Sequence, residues 1–252
     1  MPDTLTTSLL LFLVGLIAGT LNVVAGGGSL LTLPVMIFLG LPPTVANGTN
    51  RLAILVESTA ATWSFQRRGL ISREWLVLAL PAAITGAVIG TTVAMNIGDF
   101  VFQKILAVIL VASAAWSLWH RTEPIVAEDV CMPEGMRRFV FVAIFFLNGF
   151  YGGFIQAGVG FLILAATSFA GLNLIRGNAL KVVVVLAFTP LALALFAWGG
   201  KVDWAMGIAL AAGNLLGGLA GVHLQILKGH MWVRNVVTVV IVLFAIRLLI
   251  SS

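Results

Sequence analysis

Asn22-Val-Val-Ala-Gly-Gly-Gly-Ser-Leu-Leu-Thr-Leu-Pro34 is a run of thirteen residues in which three consecutive glycines interrupt strongly apolar sequence. Glycine costs about 1 kcal/mol relative to alanine inside a helix, so three in a row predict a break. In hydrocarbon, a broken backbone survives only where it is buried in protein or lines a wet cavity. Ser29 stands at an N-cap position for the next helix, and a helix N-terminus attracts anions. The stretch therefore predicts an anion site at a helix break.

The composition places this break in a membrane. Of the 252 residues, 60% are hydrophobic and 9% are charged, whereas soluble domains carry about 25% charged residues. The formal net charge of +5 comes from basic residues in short loops, which favours the lipid bilayer over nucleic acid as a partner. The single Cys131 and three scattered histidines give no disulfide and no metal-binding spacing. We expect an all-α, multi-pass membrane protein without a metal or cofactor.

The apolar pattern divides into ten segments. They are 5–24, 28–40, 45–65, 75–95, 100–119, 138–156, 159–171, 178–198, 204–226 and 235–250. A membrane span needs about 20 residues, so the second and seventh segments are too short to cross comfortably. We interpret them as half-helices or re-entrant elements, which predicts 8–10 transmembrane segments.

The two short segments occupy matching places in two halves of the chain. A shift of 131 residues reproduces the order of long and short segments and superposes several small and polar residues. These pairs are Gly40 on Gly171, Asn47 on Asn178, Gly69 on Gly200, Gly86 on Gly217 and Gly90 on Gly221. We predict a first transmembrane repeat over 1–120, a cytoplasmic linker over 121–137 and a second repeat over 138–252. Paired glycine-broken segments of this kind indicate a transporter binding site.

The basic residues predict the orientation of these repeats. Loops 66–74 and 227–234 are rich in arginine and lysine, which places them in the cytoplasm. Loop 199–203 holds one lysine beside an aspartate, which fits the outside better. Because 66–74 and 199–203 are equivalent loops on opposite sides, the pattern predicts inverted repeats.

Each half brings an amide and a cation to the start of the helix after its short segment. Asn50 and Arg51 follow the first short segment, and Asn178 and Lys181 follow the second. Charges inside a membrane are costly and usually functional. The alternative is that the two cations reach out to lipid headgroups as ordinary boundary residues. Their symmetric placement beside amides favours a role in binding.

Gln156, Gly158 and Gly160 form the second-half equivalent of the triple-glycine break. The alternative for membrane glycines is close helix packing, which suits Gly86 and Gly90 at their helical spacing. It fits Gly26, Gly27 and Gly28 poorly, because consecutive residues point in different directions around a helix.

Glu57 is the acid that lies well inside a predicted span. It is a candidate for carrying a coupling proton, since an intramembrane acid can exchange a proton during transport. It is equally a candidate structural partner for a basic group. A pair with Arg51 in the same helix is not expected, because six residues do not share one helical face.

These residues resemble the TauE/SafE-type sulfite exporter family, also called TSUP. The resemblance rests on Asn22 to Pro34, on Asn-Gly-Thr-Asn-Arg-Leu at 47–52, on Gly149 to Gly160, and on Asn-Ala-Leu-Lys at 178–181. It implies an inner-membrane transporter with about eight spans, often for sulfite, sulfonates or related sulfur-containing anions.

From these patterns and this resemblance we predict a secondary carrier that exports small anions, of the sulfite or organosulfur class, with proton coupling as one option, rather than an enzyme. The predicted site joins Gly26, Gly27, Gly28, Ser29, Asn50, Arg51, Gln156, Gly158, Gly160, Asn178 and Lys181, with Glu57 as the coupling candidate. A passive anion channel and a carrier for small carboxylates remain alternatives. An intramembrane enzyme is disfavoured, because the chain shows no zinc spacing, no paired intramembrane acids and no nucleophile–base constellation.

Overall fold

The structure is a computed structural model that describes residues 4–119 and 132–228. Over these residues the chain forms nine helices and no strand. They are α1 (Thr4–Ala25), α2 (Ser29–Phe38), α3 (Pro43–Arg67), α4 (Arg73–Asn96), α5 (Asp99–Trp119), α6 (Gly135–Phe154), α7 (Val159–Phe169), α8 (Leu174–Trp198) and α9 (Trp204–Lys228). The predicted segment 235–250 and most of the linker 121–137 lie outside the described residues.

The all-α membrane fold predicted from composition is confirmed. Four of the described helices, α1, α4, α8 and α9, are both long enough and apolar enough to cross a bilayer. Helix α3 has 25 residues but carries most of the buried polar side chains of the first half. Large apolar side chains such as Val77, Phe169 and Ile208 face outward, whereas charged side chains such as Arg51 and Glu57 are buried, as expected for a protein in lipid.

The two short helices are also confirmed. Helix α2 has 10 residues and α7 has 11. At 1.5 Å per residue, each is about 15 Å long, half of the hydrocarbon thickness of about 30 Å. Neither crosses the bilayer alone, so each of the preceding turns lies within the body of the protein.

The helices of the two halves pack reciprocally. Helix α1 packs along α9, and its counterpart α6 packs along α4, while α3 and α8 touch each other at the centre. Small residues permit both long contacts: added Cβ atoms at Gly86 and Gly90 would meet the backbone of α6, and those at Gly213 and Gly217 the backbone of α1. The packing interpretation of Gly86 and Gly90 is therefore confirmed, and Gly213 and Gly217 permit the equivalent contact. The reciprocal contacts fit the predicted duplication, and the inverted orientation stays a prediction.

Candidate functional site

The turns between α1 and α2 and between α6 and α7 meet inside the protein. Gly26 and Gly158 have φ angles of +88° and +75°, which is the left-handed region that glycine enters without strain. An added Cβ at Gly26 would overlap the backbone of Gly160, and one at Gly160 would overlap Gly26. The predicted break residues of both halves are thus in backbone contact, a closeness that only glycine allows.

The N-termini of α2 and α7 are buried and carry no side-chain cap. The prediction that Ser29 caps α2 is wrong. Gly28 occupies the cap position with helical φ and ψ of −56° and −37°, so Ser29 is already inside the first turn. A capping residue needs extended backbone, which Ser29 lacks. The N–H groups of Leu30, Leu31 and Thr32 already donate to the carbonyls of Gly27 and Gly28, and Phe161 N donates to Gly158 O at 3.0 Å. The N–H groups that remain for a ligand are those at the very start of each helix, such as Ser29 N and Val159 N.

Asn50 instead ties Ser29 to helix α3. Its Nδ2 donates to Ser29 Oγ at 2.9 Å, and its Oδ1 accepts from Thr32 Oγ1 at 2.7 Å. All three side chains are buried. The start of α2 is consequently fixed against α3 by two hydrogen bonds with one amide, which donates the first and accepts the second.

Asn47 and Arg51 of α3 hold the C-terminal end of α6. Asn47 Nδ2 donates to Phe154 O at 3.0 Å, and Asn47 Oδ1 accepts from Gln156 N at 3.3 Å. Arg51 Nη2 donates to Gly153 O at 2.7 Å, and Arg51 Nη1 donates to Gln156 Oε1 at 2.8 Å. A cation at a helix C-terminus is favourable, because the last carbonyls lack intrahelical donors and carry partial negative charge.

Asn178 and Lys181 of α8 hold the C-terminal end of α1 in the same way. Asn178 Nδ2 donates to Val24 O at 3.2 Å, while Lys181 Nζ donates to Asn22 O and Val23 O, both at 2.8 Å. Lys181 Nζ also donates to Asn178 Oδ1 at 2.6 Å. Under the shift of 131 residues, Asn22 O is equivalent to Gly153 O, the carbonyl that Arg51 binds. Each half therefore holds the broken helix of the other. We call the bonds from Asn178 and Lys181 to the end of α1 the first clamp, and those from Asn47 and Arg51 to the end of α6 the second clamp.

The two cations differ in whether one of their N–H donors has no hydrogen-bond partner. Arg51 is fully buried, and its Nε has no hydrogen-bond partner. Lys181 is 3% exposed, and all three of its N–H donors are used. The alternative that these cations reach out to headgroups is wrong, because both charges end inside the protein. Of the two, Arg51 has a donor available for a ligand.

Glu57 sits beside the first clamp and binds two amides. Its Oε1 accepts from Asn22 Nδ2 at 2.7 Å, and its Oε2 accepts from Asn214 Nδ2 at 2.8 Å. The side chain is 1% exposed. Asn22 links this acid to Lys181, because its carbonyl accepts from the ammonium while its amide donates to the carboxylate.

Three residues outside the predicted site complete it. They are Asn22, Asn47 and Asn214, whose side chains bind Glu57 or the end of α6. All three are amides in apolar sequence, which was the available signal, since an intramembrane polar group needs a partner. The remaining predicted residues Gly27 and Gly28 lie in the first turn, where added Cβ atoms would meet Phe161 and the backbone of α1.

Several proteins similar to this chain are named as probable membrane transporters. A "Probable membrane transporter protein ORF9" of Sinorhizobium sp is 33% identical over 242 residues, covering 95% of this chain and 91% of that protein. A "Probable membrane transporter protein" of Haemophilus influenzae is 30% identical over 231 residues, covering 91% of this chain and 89% of that protein. The "Probable membrane transporter protein YfcA" of Escherichia coli K12 is 29% identical over 247 residues, covering 96% and 89%.

Residues 11–248 match the family described as "Sulfite exporter TauE/SafE". The chain belongs to this family, so the resemblance seen in the glycine-broken motifs is confirmed. No solved structure matches the chain. It is a multi-pass membrane transporter of the TauE/SafE type.

Proposed function

We propose that the protein is a secondary carrier that exports small sulfur-containing anions, of the sulfite or sulfonate class. The anion would bind where α2 and α7 begin, and Glu57 would carry a coupling proton. The observation that carries this proposal is the meeting of two buried, uncapped helix N-termini beside Arg51, whose Nε has no partner. The words "Sulfite exporter" in the family description support the substrate class.

The arrangement suits an oxyanion on physical grounds. Free N–H groups at a helix start point at a ligand, and the helix dipole adds about half a positive charge. Arg51 would add a full charge and a directed N–H. Asn50 would fix the position of the α2 N-terminus relative to the anion, because its side chain donates to Ser29. Lys181 would act mainly through its charge and its clamp on α1, because its donors are engaged.

The surroundings of the site favour a carrier over an open pore. Arg51, Asn50, Gln156, Asn178 and Lys181 are each at most 3% exposed. An anion therefore reaches them through a change in the packing of the two halves, as alternating access requires. The relatives come from bacteria, whose outer-membrane spanning proteins are β-barrels, so we place this helical carrier in the inner membrane. The proposal requires no cofactor and no catalytic step; oligomers are compatible with it.

Counterflow in proteoliposomes tests the proposal. Vesicles loaded with unlabelled sulfite should accumulate labelled sulfite transiently and with saturation, and the sulfite recovered should be chemically unchanged. Arg51→Ala should abolish this flux, whereas Arg67→Ala should not, because Arg67 is an exposed arginine of the same helix that stacks on Trp63. Ohmic current without counterflow would show a channel, and counterflow with acetate alone would show a carboxylate carrier. Intact flux in both Arg51→Ala and Lys181→Ala would refute the site.

A further inference from the structure

The ammonium of Lys181 sits in a cage of three oxygen atoms. Its Nζ lies 2.8 Å from Asn22 O, 2.8 Å from Val23 O and 2.6 Å from Asn178 Oδ1. Two of these oxygens are main-chain carbonyls of α1, and the third is an amide oxygen of α8. The cage is buried, since Lys181 is 3% exposed and Asn178 is not exposed at all. The coordinating atoms are therefore all uncharged oxygens, the ligand type that free monovalent cations use.

Two of the three oxygens of the cage are supplied by a helix end. Helix α1 ends at Ala25, so the carbonyls of its last four residues have no donor within the helix. These carbonyls carry the partial negative charge at the C-terminal end of the helix dipole. In carriers with broken helices, such half-helix C-termini coordinate the coupling cation. Glu57 adds to the negative electrostatic potential at this helix end, because it accepts a hydrogen bond from the side chain of Asn22.

We propose that these three oxygens form a monovalent-cation site that the Lys181 ammonium occupies as a built-in ion. Lysine suits this task because its head is a compact point charge, whereas arginine presents a flat fork. The second half shows the contrast. There the equivalent carbonyl, Gly153 O, is bound by the fork of Arg51 and by Thr91 Oγ1. A consequence follows for the proposed carrier function: transport by the natural protein needs no free Na⁺ or K⁺.

Removal of the lysine head should turn the cage into a site for a free cation. The protein would be purified in detergent as the natural chain, Lys181→Ala and Lys181→Met. Thermal unfolding would be measured in choline chloride, ammonium chloride, KCl and NaCl at constant ionic strength. Lys181→Ala leaves space for an ion, while Lys181→Met fills the space with an apolar chain. Lys201→Ala is the matched lysine control, since Lys201 Nζ binds a single carbonyl, Met95 O, near the surface.

The expected result is a selective rescue. Lys181→Ala should melt well below the natural protein in choline, and at least half of this loss should be recovered in ammonium or K⁺ with a saturable dependence. The natural protein, Lys181→Met and Lys201→Ala should show no such selectivity. Equal responses of Lys181→Ala and Lys181→Met would overturn the proposal, as would a Lys181→Ala protein that stays unfolded in every salt. Because the measurement uses no anion substrate, it is independent of the transport assay and of its outcome.

Discussion

The two clamped helix breaks share one architecture but have different neighbours. At the first break, the end of α1 is held by Asn178 and Lys181, and the buried acid Glu57 lies alongside. At the second, the end of α6 is held by Asn47 and Arg51. Under the shift of 131 residues, the position of Glu57 is taken by Phe188, which belongs to an apolar cluster with Phe141 and Phe145. The side chain at this equivalent position is therefore an acid beside the first break and a phenylalanine beside the second.

This difference suggests how two copies of one element come to do different work. The clamps preserve the fold at both breaks, because unpaired carbonyls at a buried helix end are costly wherever they occur. The groups next to the clamps carry no such constraint. The first break has an acid tied to two amides beside it, which suits proton exchange, and the second is held by Arg51, whose Nε has no partner, which suits an anion.

Truncation of Arg51 should produce the largest effect, because it removes the charged member of the second clamp and the unpaired Nε donor together. We expect Arg51→Ala to abolish counterflow and to lower the free energy of unfolding by about 2–5 kcal/mol. Denaturant titration in micelles measures the second quantity. Arg51→Lys should recover part of the stability but little transport, since the ammonium lacks the fork. Full activity in Arg51→Lys would show that charge alone is sufficient there.

The contact between the breaks should give the next largest effect. Gly26→Ala would combine left-handed backbone with overlap of Gly160, whereas Gly40→Ala changes a glycine of φ +98° with open space around it. Gly40→Ala should cost about 1–2 kcal/mol for the backbone alone, and Gly26→Ala about 1–3 kcal/mol more for the overlap. Thermal unfolding of both variants gives the comparison. Equal losses would mean that the two breaks are not in contact.

Substitutions at the equivalent positions Glu57 and Phe188 should separate coupling from packing. Glu57→Gln keeps the shape but cannot exchange a proton, so we expect transport that no longer responds to an imposed pH gradient. Its added NH₂ would also face an amide donor, which costs about 1–3 kcal/mol. Phe188→Leu should lose about 1 kcal/mol of stability and keep the response to the gradient. A Glu57→Gln protein that still follows the gradient would exclude Glu57 as the coupling group.

The smallest expected quantity is the interaction free energy between the two clamp amides. Asn47→Ala and Asn178→Ala each remove hydrogen bonds to a helix end, and each should cost about 1–3 kcal/mol if the carbonyl stays dry and less if water enters. Because the breaks touch at Gly26 and Gly160, we expect the double variant to deviate from additivity by more than about 0.5 kcal/mol. A double-mutant cycle from denaturant titration measures this deviation. Strict additivity would describe two clamps that act independently.

The order and length of the helices were predictable from the sequence. Apolar segments 5–24 and 204–226 became Thr4–Ala25 and Trp204–Lys228, and the short segment 159–171 became Val159–Phe169. In a membrane this is expected, because every span must be apolar and must satisfy its own backbone hydrogen bonds, so local sequence leaves few choices. The glycine-broken motifs likewise indicated the TauE/SafE family, to which the chain belongs.

The partners of the buried polar groups were decided only by tertiary structure. Arg51 binds residues more than one hundred positions away, and Glu57 pairs with Asn214 of α9 rather than with a cation. Ser29 fails as a cap because Gly28 already has helical backbone angles, which places Ser29 inside the first turn of α2. A sequence states which polar groups must be satisfied in hydrocarbon. It does not state which residues are their hydrogen-bond partners, since the donor that reaches each carbonyl depends on which helices of the two halves pack together.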